Sequence, residues 1–596
     1  MKDVSYDWIR KAGRVLPARA ASFFALLLAV AAPAFAQGVT LLRTDDEIVK
    51  ISLEAASHAW DGRGFLPVMV KIENRMEGEG EWLLRFETTE SGRANMRAGS
   101  SVRLRLSGRA ASETVVFVPG PVGVRTGSFR FAAVTGAGPG VLGGGGRVST
   151  ANRIAPIVAA TPAQELAVRA AMTRSSGAAP APGAGISLDI CAPARWPADW
   201  RVWSPFDFVA MGADEFDALD GARRAALREW VALGGTLWLV RERAFQARNA
   251  RPSGSLGVGA ITPGSAEALV TACLAKKAEW EKQGSHLGSR RRVGESDEES
   301  DSWLRGPWSR LATLLDNDDF DAWEVERGTL LLVLFLIAFG IVVGPVNIYF
   351  LAPERRRHRL FFTVPALSIL ASVLLGAAIV LADGFGGAGT RRALVVLMPG
   401  ENKAAVFQQQ VSRTGVLLGK SFAIEDDTAL SREFRRGVTN GIRMNREAGR
   451  ADGAWFESRK RQVHSLWRIT PTRARVELAA GRKNGAPPVV LSSLTTVLNN
   501  FTYIDDEDEA WGVEELAPGR RTPLEKLSPG TTTARFARKL NEDGIERGHF
   551  YAWGGAGGAG GAGGAGGLAP LDTLKSIRWR EDTVLYTGRV EEARRP

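Results

Sequence analysis

The side chains best suited to nucleophilic chemistry in this sequence are two cysteines and five histidines, and their spacing predicts no catalytic site. Cys191 lies in LDICAPARW and Cys273 in TACLAKKAEW, and neither is flanked by the glycines of a nucleophile elbow. The histidines are scattered, at positions 58, 286, 358, 464 and 549. Two cysteines this far apart are more typical of free, buried thiols than of a disulfide. We therefore predict no catalytic residue, and Cys191 is not expected to act as a nucleophile.

Three motifs suggest phosphate or metal binding, and none fits its pattern. GVLLGKS (Gly415–Ser421) has three residues between its glycines, whereas a P-loop has four. Matches to G-x-G-x-x-G occur within a chain of 67 glycines and follow no strand of a strand–helix–strand unit. The acidic segment DNDDFDAWE lacks the ligand spacing and central glycine of an EF-hand. We predict a turn between strands at GVLLGKS, with no metal, nucleotide or other cofactor.

Charge and length limit the classes of protein. The chain has 596 residues, enough for three or four domains. Its formal net charge is +11 at pH 7, and part of this charge lies in the first 36 residues and in Glu354–Arg359. The remaining positive charge is spread without a basic stripe, which argues against nucleic acid as a partner.

The N-terminal 36 residues have the pattern of a secretory signal peptide. Five Lys or Arg residues precede the apolar run SFFALLLAVAAPAFA, which ends in Ala34-Phe35-Ala36. A positive segment, a short apolar run and an A-x-A end are typical of an exported protein. We predict cleavage after Ala36.

Two long apolar runs predict a transmembrane hairpin. No charged residue occurs from Gly328 through Pro353 or from Leu360 through Ala382. Each run exceeds the roughly 20 residues that span a bilayer. The loop ERRRHR between them carries Arg355, Arg356, Arg357 and Arg359. Arginines favour the cytoplasmic side, so we predict a two-pass protein of the bacterial cytoplasmic (inner) membrane with both large flanking portions in the periplasm.

Helix-breaking and polar residues lie within this predicted hairpin, in GPVNIYFLAPERRRHRLFFTVP. Pro345 would free the carbonyl of Ile341 and kink its helix. Asn347 could hydrogen-bond to the second span near Thr363, to the helix of a partner, or to nothing at a tolerated kink. The candidate kink and interaction residues are Gly344, Pro345, Asn347 and Pro365.

The exported portion before the hairpin changes pattern near residue 150. In SVRLRLSG, Val102, Leu104 and Leu106 alternate with Arg103 and Arg105, which is typical of an antiparallel β-sandwich of immunoglobulin-like type. From residue 150 to 262, apolar strands alternate with helices, one of them capped by Asp220 and ended by Gly234-Gly235. This alternation predicts a parallel sheet covered on both faces, a three-layer α/β domain. Packing in a core or domain interface is favoured over an exposed aromatic surface for the tryptophans at 196, 200 and 203.

The segment WSPFDFVAMGADEFDALDGARRAALREWVALGGTLWLV resembles part of membrane-anchored bacterial proteins with a class I glutamine amidotransferase-like domain of flavodoxin-like type. The matching features are Phe206-Asp207, Trp230-Val231, Gly234-Gly235 and the strand Leu237–Val240. The G-P-x-N of Gly344–Asn347, followed by an arginine loop and a second span, is similar to a two-span hairpin of the same proteins. The family's enzymes use a G-x-C-x-G nucleophile with a downstream histidine and acid, which this chain lacks. The resemblance therefore implies the fold and not the activity.

The part after the hairpin is predicted to be β-rich. NNFTYIDDEDEAWGVEELAPG reads as two strands joined by an acidic turn and followed by a Pro-Gly turn. The predicted order is a signal peptide (1–36), a β-sandwich (37–149), an α/β domain (150–262), a partly disordered connector (263–327), a first transmembrane helix (328–353), a cytoplasmic loop (354–359), a second transmembrane helix (360–382) and an exported β-rich domain (383–596) with a flexible Gly-Ala loop (554–567).

These features predict a non-enzymatic protein of the cell envelope. Its exported domains would bind a protein or ligand, and the hairpin would be an anchor or a relay. The expected partners are the lipid bilayer and an envelope protein. Two alternatives remain open: an exported hydrolase or amidase whose site forms between domains, and an accessory subunit of a membrane transporter.

Overall fold

The structure is a computed structural model. It describes residues 39–57, 59–60, 64–90, 93–119, 129–135, 143–150, 156–176, 185–240, 254–256, 259–289, 328–351, 354–425, 427–432, 442–445, 449–479, 487–528, 547–555, 568 and 571–592. The predicted signal peptide, most of the charged connector with DNDDFDAWE, and most of the Gly-Ala loop lie outside the described residues. The described chain combines six helices with five sheets, so the predicted β-rich, mixed multidomain class is confirmed.

The N-terminal portion consists of two sheets that share a hydrophobic core. Its strands are β1 (Val39–Asp45), β2 (Val49–Ala55), β3 (Ala59–Trp60), β4 (Phe65–Asn74), β5 (Gly80–Glu90), β6 (Arg93–Leu106), β7 (Ala111–Pro119), β8 (Phe129–Thr135) and β9 (Gly143–Thr150). One sheet has the order β1-β2-β4-β7, and the other contains β6-β5-β8-β9-β3. Side chains alternate between the two faces of a strand. Val49, Ile51 and Leu53 of the first sheet thus pack in one cluster with Trp82 and Phe86 of the second.

The next portion is a parallel sheet with one antiparallel edge strand. Its elements are β10 (Ile157–Ala160), α1 (Glu165–Ser176), β11 (Ser187–Ile190), β12 (Phe208–Gly212), α2 (Ala213–Ala218), α3 (Gly221–Ala232), β13 (Thr236–Val240), β14 (Gly254–Leu256), β15 (Gly259–Gly264) and α4 (Ala266–Ser289). The strand order is β11-β10-β12-β13-β15-β14, and only β14 runs antiparallel to its neighbour.

Helices cover both faces of this sheet. α1 and α4 pack on one face, where Leu269, Val270 and Cys273 of α4 are buried. α3 packs on the other face through Leu227 and Trp230. The first part of α4, through Cys273, therefore belongs to the core of this portion, although the sequence pattern places it in a connector that starts at residue 263.

An apolar helical segment follows. It consists of α5 (Gly328–Ile341), a π-helix (Val342–Leu351), a 3-10 turn (Glu354–Arg359) and α6 (Leu360–Asp383). Within the described ranges, one helix, Arg357–Ala377, is long and apolar enough to cross a membrane, and a shorter apolar helix covers Leu334–Phe350. Many of their large apolar side chains are exposed, including Leu336, Phe350 and Phe361.

The C-terminal portion is almost entirely β-structure. Its strands are β16 (Gly387–Met398), β17 (Lys403–Thr414), β18 (Phe422–Ala423), β19 (Ala429–Arg432), β20 (Ile442–Asn445), β21 (Arg450–Gly453), β22 (Arg461–Pro471), β23 (Val476–Leu478), β24 (Val489–Ser492), β25 (Leu498–Ile504), β26 (Ala510–Leu516), β27 (Arg521–Pro523), β28 (Glu525–Lys526), β29 (His549–Gly555), β30 (Ile577–Arg589) and β31 (Glu591–Glu592). A nine-stranded sheet has the order β19-β22-β17-β16-β30-β29-β25-β26-β28, and a smaller one the order β27-β24-β23-β31. The remaining strands, β18-β21-β20, continue a sheet of the N-terminal portion.

The portions before and after the helical segment are joined directly. β20 pairs in parallel with β6, with Ile442 opposite Ala98, so one eight-stranded sheet contains both parts of the chain. A single hydrophobic cluster includes Phe117, Trp230 and Phe407, one from each portion. Ion pairs Arg228–Glu401 and Lys403–Glu229 connect α3 to the turn before β17 and to its first residue.

Candidate functional site

The residues that the sequence selects as a candidate site lie in the apolar helical segment. α5 ends at Ile341, and the π-helix that follows contains Gly344 and Pro345. A proline has no N–H, and its ring clashes with the carbonyl four residues earlier, so a regular α-helix is disrupted where the ring meets Ile341. π-Helical turns are rare and frequently lie at functional sites.

Asn347, in the same π-helix, is a buried polar side chain without a partner. Its exposed fraction is 0%, and neither its amide nitrogen nor its amide oxygen has a hydrogen-bond partner among the described residues. The hydroxyl of Thr363 on α6 is also buried and unpartnered there, so the considered Asn347–Thr363 hydrogen bond is not formed. A buried polar group left unsatisfied costs roughly 1–3 kcal/mol. The helical segment by itself does not satisfy this amide.

The arginine loop forms the 3-10 turn that connects the two apolar helices. The side chains of Arg357 and Arg359 are exposed, whereas those of Arg355 and Arg356 lie outside the described residues. Pro365 is exposed in the second turn of α6. The cations are thus grouped at one end of the apolar pair.

Cys191 follows β11, at the carboxyl end of a parallel strand, where α/β proteins commonly place ligands. Its side chain is buried, and desolvation raises the pKa of the thiol to about 12, although Arg195 lowers it in part. The nucleophile of a cysteine enzyme is the thiolate. Cys191 is therefore protonated at neutral pH and poorly suited to attack a substrate.

The same edge of the sheet is covered by the N-terminal portion. Ser57 donates its hydroxyl proton to the buried carboxylate of Asp189. Arg195 forms an ion pair of 2.9 Å with Glu54 at the end of β2. Ser204 accepts a hydrogen bond from the backbone N–H of Phe65 at 2.9 Å. These contacts dock the β-sandwich against the loops around Cys191.

A small polar cluster, which the sequence analysis missed, lies where β10 and β12 end. These neighbouring parallel strands lead to helices on opposite faces, which makes this the topological switch point of the sheet. Glu215 accepts a hydrogen bond from the Thr161 hydroxyl at 2.8 Å and another from the Gly212 N–H at 2.6 Å. The sequence pattern that could have indicated this cluster is the G-x-x-E spacing of Gly212 and Glu215, which is typical of a helix N-terminus. Both hydrogen bonds are accepted by Oε2 of Glu215, so they hold this carboxylate at the N-terminus of α2.

A second missed feature is a row of buried polar side chains across four strands of the large sheet. Arg391 lies opposite Gln410, Gln410 opposite His464, and His464 opposite Arg432. Residues opposite each other on antiparallel strands point to the same face. Its signal is QQQ (Gln408–Gln410) in a strand, because alternation must turn at least one of the three inward.

Contacts across this row hold the segment that covers it. Gln410 donates to the Thr573 hydroxyl at 3.1 Å, and Gln408 donates to the carbonyl of Leu571 at 2.8 Å. Arg391 forms an ion pair of 3.0 Å with Asp572. The row fastens residues 571–573 onto the sheet, which is a structural role.

His464 is the buried histidine of this row. Burial and the nearby Arg432 lower its pKa to about 3, so its ring is neutral at pH 7. Its Nε2 lies 2.7 Å from the carbonyl oxygen of Trp455 and therefore carries the proton. The ring also lies 4.4 Å from that of Phe456, measured between centroids. These contacts give His464 a packing role in the sheet.

Within the described part of the chain, no group of three or more His, Cys, Asp or Glu residues could hold a metal ion. Cys191 and Cys273 are both free and buried, and they belong to different hydrophobic clusters on the two faces of the α/β sheet. No protein-family model and no curated protein matches the chain.

Proposed function

We propose that this chain is a membrane-anchored protein of the bacterial cell envelope. Its apolar helices would form a two-pass hairpin, and both β-rich portions would lie outside the cytoplasm, where they bind a protein or ligand. The observation that carries this proposal is the β6–β20 pairing, which links residues before the helical segment to residues after it.

This pairing limits how often the chain between the two strands can cross a membrane. Strands joined by backbone hydrogen bonds in one sheet, with a common hydrophobic core, must lie in the same compartment. The helical segment between them therefore crosses the bilayer an even number of times, either twice or not at all. Exposed apolar side chains such as Leu336, Ile337 and Phe361 favour two crossings, because hydrocarbon surroundings would cover them.

The direction of the hairpin follows from the arginine loop. Arg357 and Arg359 are exposed at the turn between the helices, with Arg355 and Arg356 beside them in sequence. The positive-inside rule favours the cytoplasm for this turn. The opposite ends of the helices and both β-rich portions would then lie on the other side, which is also the side to which the predicted signal peptide would direct the chain.

The strand order of the α/β portion and the chemistry of its Cys191 and Glu215 favour a binding role over a catalytic one. Its five parallel strands, β11-β10-β12-β13-β15, have the order 2-1-3-4-5 when the antiparallel edge strand is left out, which fits a flavodoxin-like or amidotransferase-like fold. The Cys191 thiol has a pKa raised to about 12, and Glu215 at the switch point is already hydrogen-bonded. We infer that this fold serves as a binding scaffold and not as an amidase.

The unpartnered amide of Asn347 favours a protein partner in the membrane, as an accessory subunit of a transporter would have. A helix rotation that exposes Asn347 to a polar group of a partner helix would remove the cost of the unsatisfied amide. The hairpin would then act as a relay as well as an anchor.

The topology can be tested by cysteine accessibility in cells. His358→Cys places a thiol in the arginine loop, and Leu166→Cys places one on α1, where the leucine is 81% exposed. Native Cys191 and Cys273 are buried and give little background. With a membrane-impermeant maleimide on spheroplasts, we expect labelling at position 166 and labelling at position 358 only after permeabilisation. Equal labelling of both sites in intact spheroplasts would overturn the proposal.

A further inference from the structure

The segment GVLLGKS (Gly415–Ser421) has no role in the proposed anchor, yet it lies beside the end of α6. Gly386 donates a backbone hydrogen bond to Val416 at 3.0 Å, and Val416 donates one to Gly384 at 3.0 Å. Gly384 directly follows Asp383, the last residue of α6. Two residues of chain span at most about 7 Å, so Leu418 lies close to the point where α6 ends.

Apolar side chains are exposed at this position. Leu418 is 89% exposed and Phe385 is 66% exposed. Among the described residues after Gly384, only Phe385, Leu418 and Val497 are exposed large hydrophobic side chains. Leu418 and Phe385 thus lie together at the end of α6. Most large apolar side chains of the C-terminal sheets are buried instead.

Exposed cations lie around these two side chains. Lys420 is exposed in the same segment, two residues after Leu418. Arg459 is exposed in a neighbouring turn, where its N–H donates to the carbonyl of Gly415 at 3.1 Å. Lys460 follows it and pairs with the buried Glu457.

A third neighbouring segment adds another cation. Gly387 donates a hydrogen bond of 3.1 Å to the carbonyl of Ser576, and the exposed Lys575 precedes Ser576. We call Lys420, Arg459, Lys460 and Lys575 the basic collar. An apolar tip within a basic collar is the pattern of a surface that inserts into the interface of an anionic bilayer.

We propose that Gly415–Ser421 rests on the outer face of the membrane. Leu418 and Phe385 enter the boundary between headgroups and acyl chains, and the basic collar binds the phosphates of anionic phospholipids. The inference rests on the proposed membrane crossing of α6, which places Gly384 at the bilayer surface. This contact holds the C-terminal β-sheet at a fixed height and orientation relative to the hairpin.

The test uses the full chain in nanodiscs that contain phosphatidylglycerol. Leu418→Cys is labelled with an environment-sensitive fluorophore, and separate nanodiscs contain lipids with a quencher near the headgroup, which reports position 418, or deep in the acyl chain, which reports position 370. The matched control is Leu166→Cys, which is similarly exposed but lies on α1, and Leu370→Cys on α6 reports the membrane crossing itself. We expect a blue shift at position 418 and at least twofold stronger quenching there than at position 166.

The outcomes separate this inference from the proposed function. Quenching at position 370 with position 418 behaving like position 166 overturns the membrane contact and leaves the anchor intact. Absence of quenching at position 370 overturns the membrane crossing and this inference with it. A blue shift at position 418 without lipid quenching indicates a protein contact instead and also overturns the inference.

The role of the basic collar has its own variant pair. Lys420→Glu reverses a charge at an exposed position, whereas Lys420→Arg keeps it. We expect Lys420→Glu to halve the quenching at position 418 in anionic nanodiscs, and Lys420→Arg to retain it. Equal quenching for both variants would contradict the proposed contact with phosphates.

Discussion

Met444 of β20 lies opposite Ser100 of β6 in parallel register, although the helical segment separates the two residues in sequence. β6 belongs to the N-terminal sandwich, so its outer edge is paired only after β20 has been synthesised and has reached the same compartment. An unpaired edge strand exposes backbone N–H and C=O groups. The N-terminal sandwich is therefore completed by a strand of the C-terminal portion.

The ion pair Lys403–Glu229 provides a first prediction about the contact between the α/β portion and the C-terminal portion. Both side chains are only 28% and 22% exposed, so a reversed charge would face a like charge that water screens poorly. We expect Lys403→Glu to lower the free energy of unfolding by about 1 kcal/mol, and the added change Glu229→Lys to recover at least half of the loss. Denaturant unfolding followed by tryptophan fluorescence measures both.

The matched control is the pair Lys526–Glu509, whose side chains are 59% and 39% exposed within one hairpin of strands. Lys526→Glu should cost less than about 0.5 kcal/mol, because exposed pairs contribute little. If Lys403→Glu lowers the free energy of unfolding no more than Lys526→Glu does, the ion pair between α3 and β17 does not stabilise the contact between the two portions.

Local features of the fold could be predicted because they depend on neighbouring residues. In β6, Arg103 and Arg105 are exposed and Leu106 is buried, as the alternation predicts. Asp220 accepts the N–H of Arg223 at 2.8 Å, which confirms its predicted cap of α3. The predicted packing of Trp196, Trp200 and Trp203 is also confirmed, because all three are buried.

Turns were predictable for the same reason. β25 and β26 pair antiparallel around Asp505–Glu509, which confirms the predicted acidic turn. The carboxylate of Asp505 accepts the N–H groups of Glu507 at 3.0 Å and Glu509 at 2.9 Å, so one short side chain shapes that turn. GVLLGKS lies between β17 and β18 without regular structure, as predicted.

Long-range pairing could not be predicted, because its signal is shared between distant segments. IRMN (Ile442–Asn445) is four residues long and has no pattern that selects β6 as its partner. The buried row through Gln410 and His464 was equally hidden, since each strand contributes only one or two polar side chains. The sequence marks Asn347 only as a polar residue within an apolar run, and the structure adds that neither of its amide atoms has a hydrogen-bond partner among the described residues.

Thiol chemistry provides a second prediction, which separates the binding protein from the hydrolase. Burial raises the pKa of Cys191 to about 12 and also raises that of Cys273. We expect neither thiol to react with Ellman's reagent at pH 8 in the folded protein, and both to react once it is unfolded in denaturant. Rapid reaction of one thiol in the folded protein would favour a catalytic cysteine.

The corresponding variant is Cys191→Ala. In cells, it should retain the wild-type phenotype at a normal protein level, because a protonated and buried thiol serves only packing. Cys273→Ala is the control, since it removes a buried thiol on the opposite face of the same sheet. Loss of the phenotype with Cys191→Ala alone, at an unchanged protein level, would count heavily in favour of the hydrolase.

His464 provides a third prediction, on pH. Its pKa of about 3 in the folded protein lies below the value of about 6.5 in an unfolded chain. Between these values the unfolded state binds more protons, so the contribution of His464 is fully present above pH 6.5 and is lost as pH falls toward 3. The slope approaches about 1.4 kcal/mol per pH unit within this window. Thermal unfolding at pH 7, 6 and 5 should show it.

His464→Gln removes the titrating group and keeps an N–H donor for the carbonyl of Trp455. The variant should be less stable at pH 7, because the ring that packs on Phe456 is lost. Its stability should nevertheless fall less steeply between pH 7 and 5 than that of the wild type. Parallel pH profiles for the two proteins would contradict the lowered pKa, because they would show that His464 has the same pKa in the folded and unfolded states.

Asn347 provides the last prediction. Because its amide is buried without a partner, Asn347→Leu replaces an unsatisfied polar group with an apolar one of similar size. We expect the purified variant to insert into membranes normally and to be at least as stable as the wild type. A photo-crosslinker at the exposed neighbour Ile348 should nevertheless give fewer adducts with a membrane protein in cells.

Asn347→Gln is the control, since it keeps the amide and should retain most of the adducts. The two measurements distinguish three roles of this residue. Destabilisation of the purified Asn347→Leu protein by more than about 1 kcal/mol would mean that the amide is satisfied within the hairpin. If neither the stability nor the number of adducts changes, Asn347 has no role in either. The π-helix is then only a tolerated consequence of Pro345. Only retained stability with fewer adducts fits an amide that is held for a partner, because the group then contributes nothing until a second helix reaches it.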